Sequence, residues 1–322
     1  MMPVKQDLVV CILINYNHSK DTLDCVESLL NSSYDNFKIY LVDNGSETDD
    51  YRILENSLSN NDNINLLRIG KNIGYVGGVN YGLLKASEAI PRYFVIMNND
   101  TIVDKDAINE LVITAQKYGD NVIVTGKVYN MDEPETLQYV GQWCRNKKKL
   151  DFPPYVKNGR ELDTGQYDKE IELDMTDDMF WLLPRQVFER VGYYSTNFFL
   201  YGEQNDYVLR AKKEGVKLIY TPKSRIWHHH HLTTGGSSQK ILAIRYWSAY
   251  AVLMLYYLHY PKRRLFTHYF KLVIRSLAKT IFGKISKREF KPVKPELYAC
   301  WYFMLWLFNK RPNDGFNPFL VK

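Results

Sequence analysis

"LVVCILINYN" (residues 8–17) is an apolar run that turns polar at one step, from Ile14 to Asn15. A short apolar run bounded by turn formers fits a strand buried on both faces, as a parallel sheet requires. The next segment, "SKDTLDCVESLLNS" (19–32), repeats its apolar residues at helical spacing, with Leu23, Val26, Leu29 and Leu30 on one predicted face. "FKIYLVDNGS" (37–46) is a second strand ending in polar residues. "DDYRILENSL" (49–58) follows as helix, "INLLRIG" (64–70) as strand, "GVNYGLLKASEAI" (78–90) as helix and "RYFVIMNNDT" (92–101) as strand. Strand–helix alternation of this kind predicts an α/β fold, with a mostly parallel central sheet and helices on both faces. Ligands of such sheets bind beyond the carboxyl ends of the strands. The polar punctuation falls there: Asn15-Tyr16-Asn17, Asp43-Asn44, Asn72 and Asn98-Asn99-Asp100.

After residue 126 the alternation weakens, and residues 130–175 have the polar, Pro-, Gly-, Lys- and Asp-rich composition of a variable loop region. Order returns with "DMFWLLPRQVFERVG" (178–192), "FFLYGEQNDY" (198–207) and the strand "VKLIYTPKSRIWHHHH" (216–231). The chain is 322 residues long and 45% hydrophobic, which is globular rather than disordered composition. Four scattered cysteines form no CxxC pair, which speaks against a zinc ribbon or disulfide framework and for a reducing compartment. "LVVCILI" is one strand long and unlike a signal peptide, so the N-terminal part is expected in the cytoplasm. The net charge of +6 comes from residues 241–322, where Glu289, Glu296 and Asp314 are the only acids. A basic tail without a nucleic-acid motif predicts no nucleic-acid partner.

Several clusters can carry chemistry. Asp100 ends an apolar strand, where a carboxylate can hold Mg²⁺ or Mn²⁺ against a diphosphate; Asn-Asn-Asp is also ordinary turn chemistry. "GKNIGYVGGVNYG" (70–82) lacks the Lys-Ser/Thr of a phosphate loop, and its glycines permit close backbone approach to a ligand or simply open a helix. Alternation along an extended chain sends His228 and His230 to one face, enough for one metal ligand or two, or for a solvated loop. Glu203 and Asp206 lie one turn apart on a helix starting near Gly202, with Arg210 four residues beyond Asp206. Acids in a first turn also suit the helix dipole, so a cap and a catalytic pair are both open.

In order and spacing, "ILINYN" (12–17), "LVDNGS" (41–46), "NIGYVGGVNYG" (72–82), "MNNDT" (97–101), "FFLYGEQNDYVLRAKKEG" (198–215) and "YTPKSRIWH" (220–228) together resemble inverting glycosyltransferases of family 2. By pattern they are most similar to the rhamnosyltransferase-like subgroup of bacterial surface polysaccharide synthesis. The resemblance implies the GT-A fold over residues 1–240, in a nucleotide-sugar half (1–126) and an acceptor half (127–240), followed by a helical region, 241–322. It implies a nucleoside-diphosphate sugar as donor, a dTDP-rhamnose-like or UDP-hexose compound, and a glycan or lipid-linked acceptor. Tyr16 and Asp43 match positions that hold base and ribose, with Asn15 beside them. Asn72 and Gly74 match the loop flanking the donor. Asn98 and Asp100 fall at the two ends of the family's DxD motif, with Asn99 between. Asp100 and His228 would ligate a divalent metal, Mg²⁺ or Mn²⁺. Asp178, Trp181 and Trp143 would line the acceptor side, Trp181 having core packing as its plainer role.

The family's usual base falls at Gln204, and an amide accepts no proton at neutral pH. Glu203 and Asp206 remain as candidates, and Glu203 is preferred because Asp206 has Arg210 to pair with. The missing acid also leaves a catalytically inactive nucleotide-sugar-binding or scaffold homologue as an alternative. A nucleotidyltransferase would need a basic Gly-rich loop where "NYNHSK" stands. The tail stretches "WSAYAVLMLYYLHY" (247–260) and "YACWYFMLWLF" (298–308) are shorter than a membrane span and rich in Trp and Tyr beside Lys and Arg. They predict helices lying on an anionic membrane, peripheral at the inner face of the plasma membrane, or else a buried helical pair.

Overall fold

The computed structural model describes residues 6–59, 61–229, 238–285 and 294–320. They divide into two compact units, Met1–Tyr194 with Tyr207–His230, and Ser195–Asp206 with His231–Lys322. The segment 195–206 therefore groups with the C-terminal helices, although it precedes residue 240.

The first unit begins with the expected alternation: β1 (Val9–Asn15), α1 (Ser19–Leu30), β2 (Phe37–Asn44), α2 (Thr48–Leu58), β3 (Ile64–Ile69), α3 (Gly74–Ser87), β4 (Tyr93–Met97), β5 (Thr101–Val103) and α4 (Ala107–Lys117). It continues with β6 (Val122–Asn130), β7 (Thr136–Tyr139), β8 (Glu161–Leu162), β9 (Ile171–Glu172), β10 (Phe180–Pro184), α5 (Arg185–Val191), α6 (Glu203–Lys213, from Tyr207 onward) and β11 (Lys217–His228). One sheet joins the strands in the order β3-β2-β1-β4-β10-β6-β11-β5, with β7 and β9 paired to β6 and β11 and β8 to β7.

The parallel character holds for β3-β2-β1-β4 and for β6 with β11; β10 enters antiparallel between β4 and β6, so the sheet is mixed. Antiparallel pairing of Phe180 with Met97 brings the start of β10 to the polar end of β4, where Asn98 N donates to Met179 O at 3.0 Å. Helices cover both faces. Val9, Cys11 and Leu13 of β1 share one core with α1, α2 and α4, while Ile12 and Ile14 meet α3 on the other side, as strand alternation demands. In α1 the buried face is Thr22, Cys25, Val26 and Leu29. Leu30 is exposed, because it follows Leu29 by 100° around the helix.

Two expectations change in this unit. The glycines of 74–82 lie in helix α3 itself. A Cβ at Gly82 would stand 2.6 Å from Ile12 Cγ2, and one at Gly78 would stand 3.0 Å from Ile14 Cγ2. Their absence of side chain lets α3 sit close on β1, so their approach is to the sheet rather than to a ligand. The stretch 130–175 is also less of a loop than its composition suggests. Buried Lys127 of β6 holds Asp163 at 2.8 Å and Asp168 at 2.7 Å, and Tyr129 Oη donates to Asp163 at 2.6 Å. Ion pairs order this region, and they leave no apolar period to read.

The second unit contains α7 (Ser238–His259), α8 (Lys262–Ile285) and α9 (Lys294–Asn309). Tyr250, Ala251, Leu253 and Met254 of α7 are buried with Ala299, Cys300 and Phe303 of α9, and Arg245 grips Glu296 through two nitrogens at 3.0 and 2.8 Å. Phe199 stacks on Trp247 with ring centres 5.9 Å apart. Of the two readings of 247–260, a membrane-surface helix or a buried helical pair, the packing of α7 on α9 favours the second. The helix is longer than that stretch: among the described residues Lys240–His259 is the one helix long and apolar enough to cross a membrane, by length and composition only. The two later helices carry stripes of exposed apolar residues. Phe266, Phe270, Ile274 and Leu277 of α8 recur at one-face spacing, as do Tyr298, Trp301, Leu305 and Phe308 of α9.

Candidate active site

The polar ends of β1, β2 and β4 are joined by one buried amide. Asn15 Nδ2 lies 3.1 Å from Asp43 Oδ1, 3.1 Å from Ser46 Oγ and 3.0 Å from Asp50 Oδ2. Asn15 Oδ1 accepts from Thr22 Oγ1 at 2.9 Å, and Thr22 Oγ1 in turn accepts from Asn99 Nδ2 at 2.7 Å. Asp50 also takes the Ser19 amide at 2.9 Å, closing the first turn of α1 from outside its own chain segment. Burial raises the Asp50 carboxyl, but the hydrogen bonds from Asn15 and Ser19 outweigh it and hold the group below the ordinary range. Asn15 and Asn99, expected to touch the donor, therefore spend these side-chain atoms on the scaffold. Asp43 is different. It is fully buried, and its Oδ2 has no hydrogen-bond partner; the nearest cation, Arg68 Nε, is 3.8 Å away. Tyr16, at the end of the same strand pair, is 39% exposed and its ring is open for stacking.

The loop before α3 is shaped by two amides. Asn44 Nδ2 donates to Gly74 O at 3.0 Å while its Oδ1 accepts from Ile73 N, and Asn72 Oδ1 accepts from Gly74 N at 2.8 Å. Gly45 (φ +78°) lies so close to this turn that a Cβ would stand 2.3 Å from the Lys71 carbonyl carbon. Asn72 is exposed, and Gly74 (φ +80°) opens the helix.

At the other end of the cluster His228 closes on Asp100, with Nε2 3.2 Å from Oδ1. His228 Nδ1 is 2.7 Å from Gln138 Oε1, which orients the ring and turns Nε2 to the carboxylate. Asn98 Nδ2, 3.2 Å from Nε2, supplies one hydrogen, whereas Asp100 supplies none. The carboxylate oxygen and the imidazole nitrogen, 3.2 Å apart, are two donor atoms that one cation can take together. These donors suit Mg²⁺ or Mn²⁺, which accept carboxylate oxygen and imidazole nitrogen. Among the described residues no three His, Cys, Asp or Glu side chains gather at one point, so further ligands would have to be ligand oxygens or water. His229 contributes its backbone amide to Asp100 O at 3.0 Å, and His230 and His231 lie outside the described residues.

The third cluster surrounds Asp178. Tyr194 Oη donates to Asp178 Oδ2 at 2.9 Å, and Asn80 of α3 clamps the Tyr194 backbone, accepting from its N and donating to its O at 2.9 Å each. The Tyr194 ring stacks on Tyr207, 4.8 Å between centres, and Trp181 lies 6.3 and 5.8 Å from the two rings. Trp181 is 0% exposed, so packing is its role and its ring is closed to a sugar; Trp143 is 40% exposed. In the second unit Glu203 and Asp206 open α6, both buried, and His259 Nε2 of α7 meets Asp206 Oδ1 at 2.7 Å. Arg210 donates to the carbonyls of Val191 and Tyr193.

The sequence profile of the family described as "Glycosyl transferase family 2" matches residues 10–192, more than half of the chain. The chain belongs to glycosyl transferase family 2. It is 22% identical over 231 residues to the glycosyltransferase GlyG of Streptococcus pneumoniae, covering 64% of this chain and 74% of that one. It is 24% identical over 213 residues to the low-salt glycan biosynthesis hexosyltransferase Agl10 of Haloferax volcanii, covering 64% of this chain and 62% of that one. Among solved structures, GalNAc-T7 with UDP, GalNAc and Mn²⁺ superposes with a TM-score of 0.63 at 14% identity, over 78% of this chain and 48% of that chain. At that identity the likeness concerns the fold, which is the GT-A fold expected from the motifs. As a family 2 glycosyltransferase the chain carries four side chains that motif reading passed over: Asn80, Gln138, Tyr194 and His259. Each acts through a partner remote in sequence, and only Asn80 and His259 stand inside quoted stretches.

Asp178 offers a check on the site's electrostatics. Burial pushes its carboxyl up from 3.8 to about 6, against the Tyr194 hydroxyl, with the charge of Asp177 adding to the rise. A carboxyl that holds its proton more tightly when folded favours the fold most below pH 3.8, and that advantage disappears as pH rises through about 6. At pH 8 the ionised group then costs on the order of 3 kcal/mol. Asp178→Asn removes the charge and keeps an acceptor for Tyr194. Urea denaturation should show it more stable than wild type at pH 8, with the gap closing below pH 4; a variant less stable at pH 8 would show that the carboxylate itself holds the fold.

Proposed function

We propose that the protein moves a glycosyl group, with inversion, from a nucleoside-diphosphate sugar to a hydroxyl of a glycan or lipid-linked acceptor in bacterial surface polysaccharide synthesis. A dTDP-rhamnose-like or UDP-hexose donor is the reading carried by the motif pattern. The observation that carries the proposal is the Asp100–His228 pair, poised at the carboxyl end of β4 for a positive charge. The Mn²⁺ and UDP in the structural neighbour support the same assignment. In this reading Asp43 Oδ2, buried without a partner, accepts the ring N–H of a pyrimidine base, and Tyr16 stacks on it. Asn98, with Asn72 and Gly74 across the loop, would bond ribose or phosphate. Asp100 and His228 would hold Mg²⁺ or Mn²⁺, which when bound stabilises the charge of the departing diphosphate without proton transfer.

The acceptor oxygen attacks the anomeric carbon from the face opposite the diphosphate. Its proton passes to a carboxylate as the new C–O bond forms and the old one breaks. Glu203 is assigned as that base. Asp206 is engaged by His259, and Gln204 takes no proton. Trp143, with its open ring, is assigned to the acceptor.

The exposed stripes of α8 and α9 support attachment to the cytoplasmic face of the membrane. Lys262, Arg263, Arg264, Lys271 and Arg275 accompany the α8 stripe, the pairing of apolar and basic side chains that an anionic interface takes up.

Transfer from a panel of UDP and dTDP sugars should vanish with EDTA and return with Mn²⁺ or Mg²⁺. Glu203→Gln should lower kcat by about a hundredfold or more, and Asp206→Asn by much less. Loss on Asp206→Asn with near-normal turnover of Glu203→Gln would reverse the assignment; no transfer at all would favour the inactive binding homologue. The full chain should co-sediment with phosphatidylglycerol vesicles, and Phe270→Glu with Ile274→Glu should abolish most of it. Equal sedimentation of the double variant would refute the docking face.

A further inference from the structure

We infer that Asp178 reads hydroxyl groups of the donor's sugar, making it a specificity-determining residue of the donor site rather than part of the acceptor side. The inference rests on the donor reading proposed above and concerns what lies beyond the diphosphate.

The position is set by topology. Because β10 runs antiparallel to β4, the residues entering β10 stand at the same sheet end as Asn98 and Asp100. Met179, next to Asp178, accepts the backbone hydrogen of Asn98 at 3.0 Å. A diphosphate held at Asp100 carries its sugar within the neighbourhood of that strand entry. The residues around Asp178 come from the donor side as well. Tyr75, whose hydroxyl helps hold the Asp178 carboxyl down, belongs to the first turn of α3, straight after the Asn72 loop. Tyr194 is held by Asn80 of that same helix.

The chemistry is that of a sugar hydroxyl site. A carboxylate that accepts from the Tyr194 and Tyr75 hydroxyls keeps two of its roughly four lone-pair sites, enough for two adjacent hydroxyls. A further polar atom in the adjoining aromatic cluster, Tyr207 Oη, is buried without a hydrogen-bond partner. Buried polar atoms normally have partners, and a polyhydroxylated ring is a source of them. A carboxylate kept buried against its own ionisation is also costly to retain for packing alone. The Asn80–Tyr194–Asp178 chain fixes the oxygen positions.

The test is equilibrium binding, which needs neither acceptor nor turnover. In the presence of Mn²⁺, wild type is titrated with UDP and dTDP and with UDP-glucose, UDP-galactose, UDP-N-acetylglucosamine and dTDP-rhamnose. For whichever nucleotide sugar binds, Asp178→Asn should weaken it by about tenfold or more while leaving the matching nucleoside diphosphate within about twofold. Tyr194→Phe, which loosens the carboxylate without removing it, should give a smaller loss of the same kind. Unchanged nucleotide-sugar binding in Asp178→Asn, or equal weakening of both ligands, would overturn the inference. So would a variant whose only change is a raised acceptor KM. A wild-type chain that binds none of these compounds would instead bring down the donor reading itself, a result distinct from a wild type that binds and a variant that is indifferent.

Discussion

The Asn15 amide is the constraint on which the sheet's polar end depends. Its two hydrogens are shared among Asp43, Ser46 and Asp50, and its oxygen reaches Asn99 through Thr22. Three loops that are far apart in sequence, after β1, β2 and β4, are thereby held in one register. Buried Asp43 and half-buried Asp50 could not converge without such a donor, because two carboxylates near each other repel and a buried one needs hydrogen bonds. A side chain without the amide would leave those oxygens unsatisfied, each at a cost of about 1–3 kcal/mol. The hub's hydrogen bonds are internal, and they leave Asp43 Oδ2 without a hydrogen-bond partner.

Packing supplies the other half of the arrangement. Gly78 and Gly82 bring α3 onto Ile14 and Ile12, and this close approach carries Asn80 and Tyr75 to the Tyr194 and Asp178 cluster. The same helix begins at the turn built by Asn44 and Asn72. One glycine-rich segment therefore fixes the loop beside the expected diphosphate and the carboxylate beyond it. His228 is similarly oriented from behind by Gln138 on β7, an element that the polar composition of its region concealed.

The parallel half of the fold was legible because β1, β2, β3 and β4 each change from apolar to polar at the same sheet end, and the intervening helices keep their period. Asp43, Asp100 and His228 were legible for the same reason, as the residues at those ends. Three things were hidden. The antiparallel insertion of β10 has no local signature, since "FWLLP" reads as a buried strand of either direction. The scaffold roles of Asn15 and Asn99 depend on partners from other segments, which spacing does not reveal. The burial of α7 stayed open between core and membrane surface, because an apolar helix reads alike in both, and the apolar face of α8 went unread. His259 was missed with them, as its partner Asp206 lies 53 residues away.

The central claim is that the Asp100–His228 pair holds a divalent metal that carries the donor's diphosphate. Calorimetric titration of UDP and dTDP into wild type and Asp100→Asn, each with and without Mn²⁺, addresses it directly. The account predicts that wild type binds one of the two nucleotides at least about tenfold more tightly with Mn²⁺, and that Asp100→Asn loses this metal dependence while keeping its fold. Nucleotide binding that ignores Mn²⁺ in wild type, or a metal effect that survives in Asp100→Asn, would contradict it.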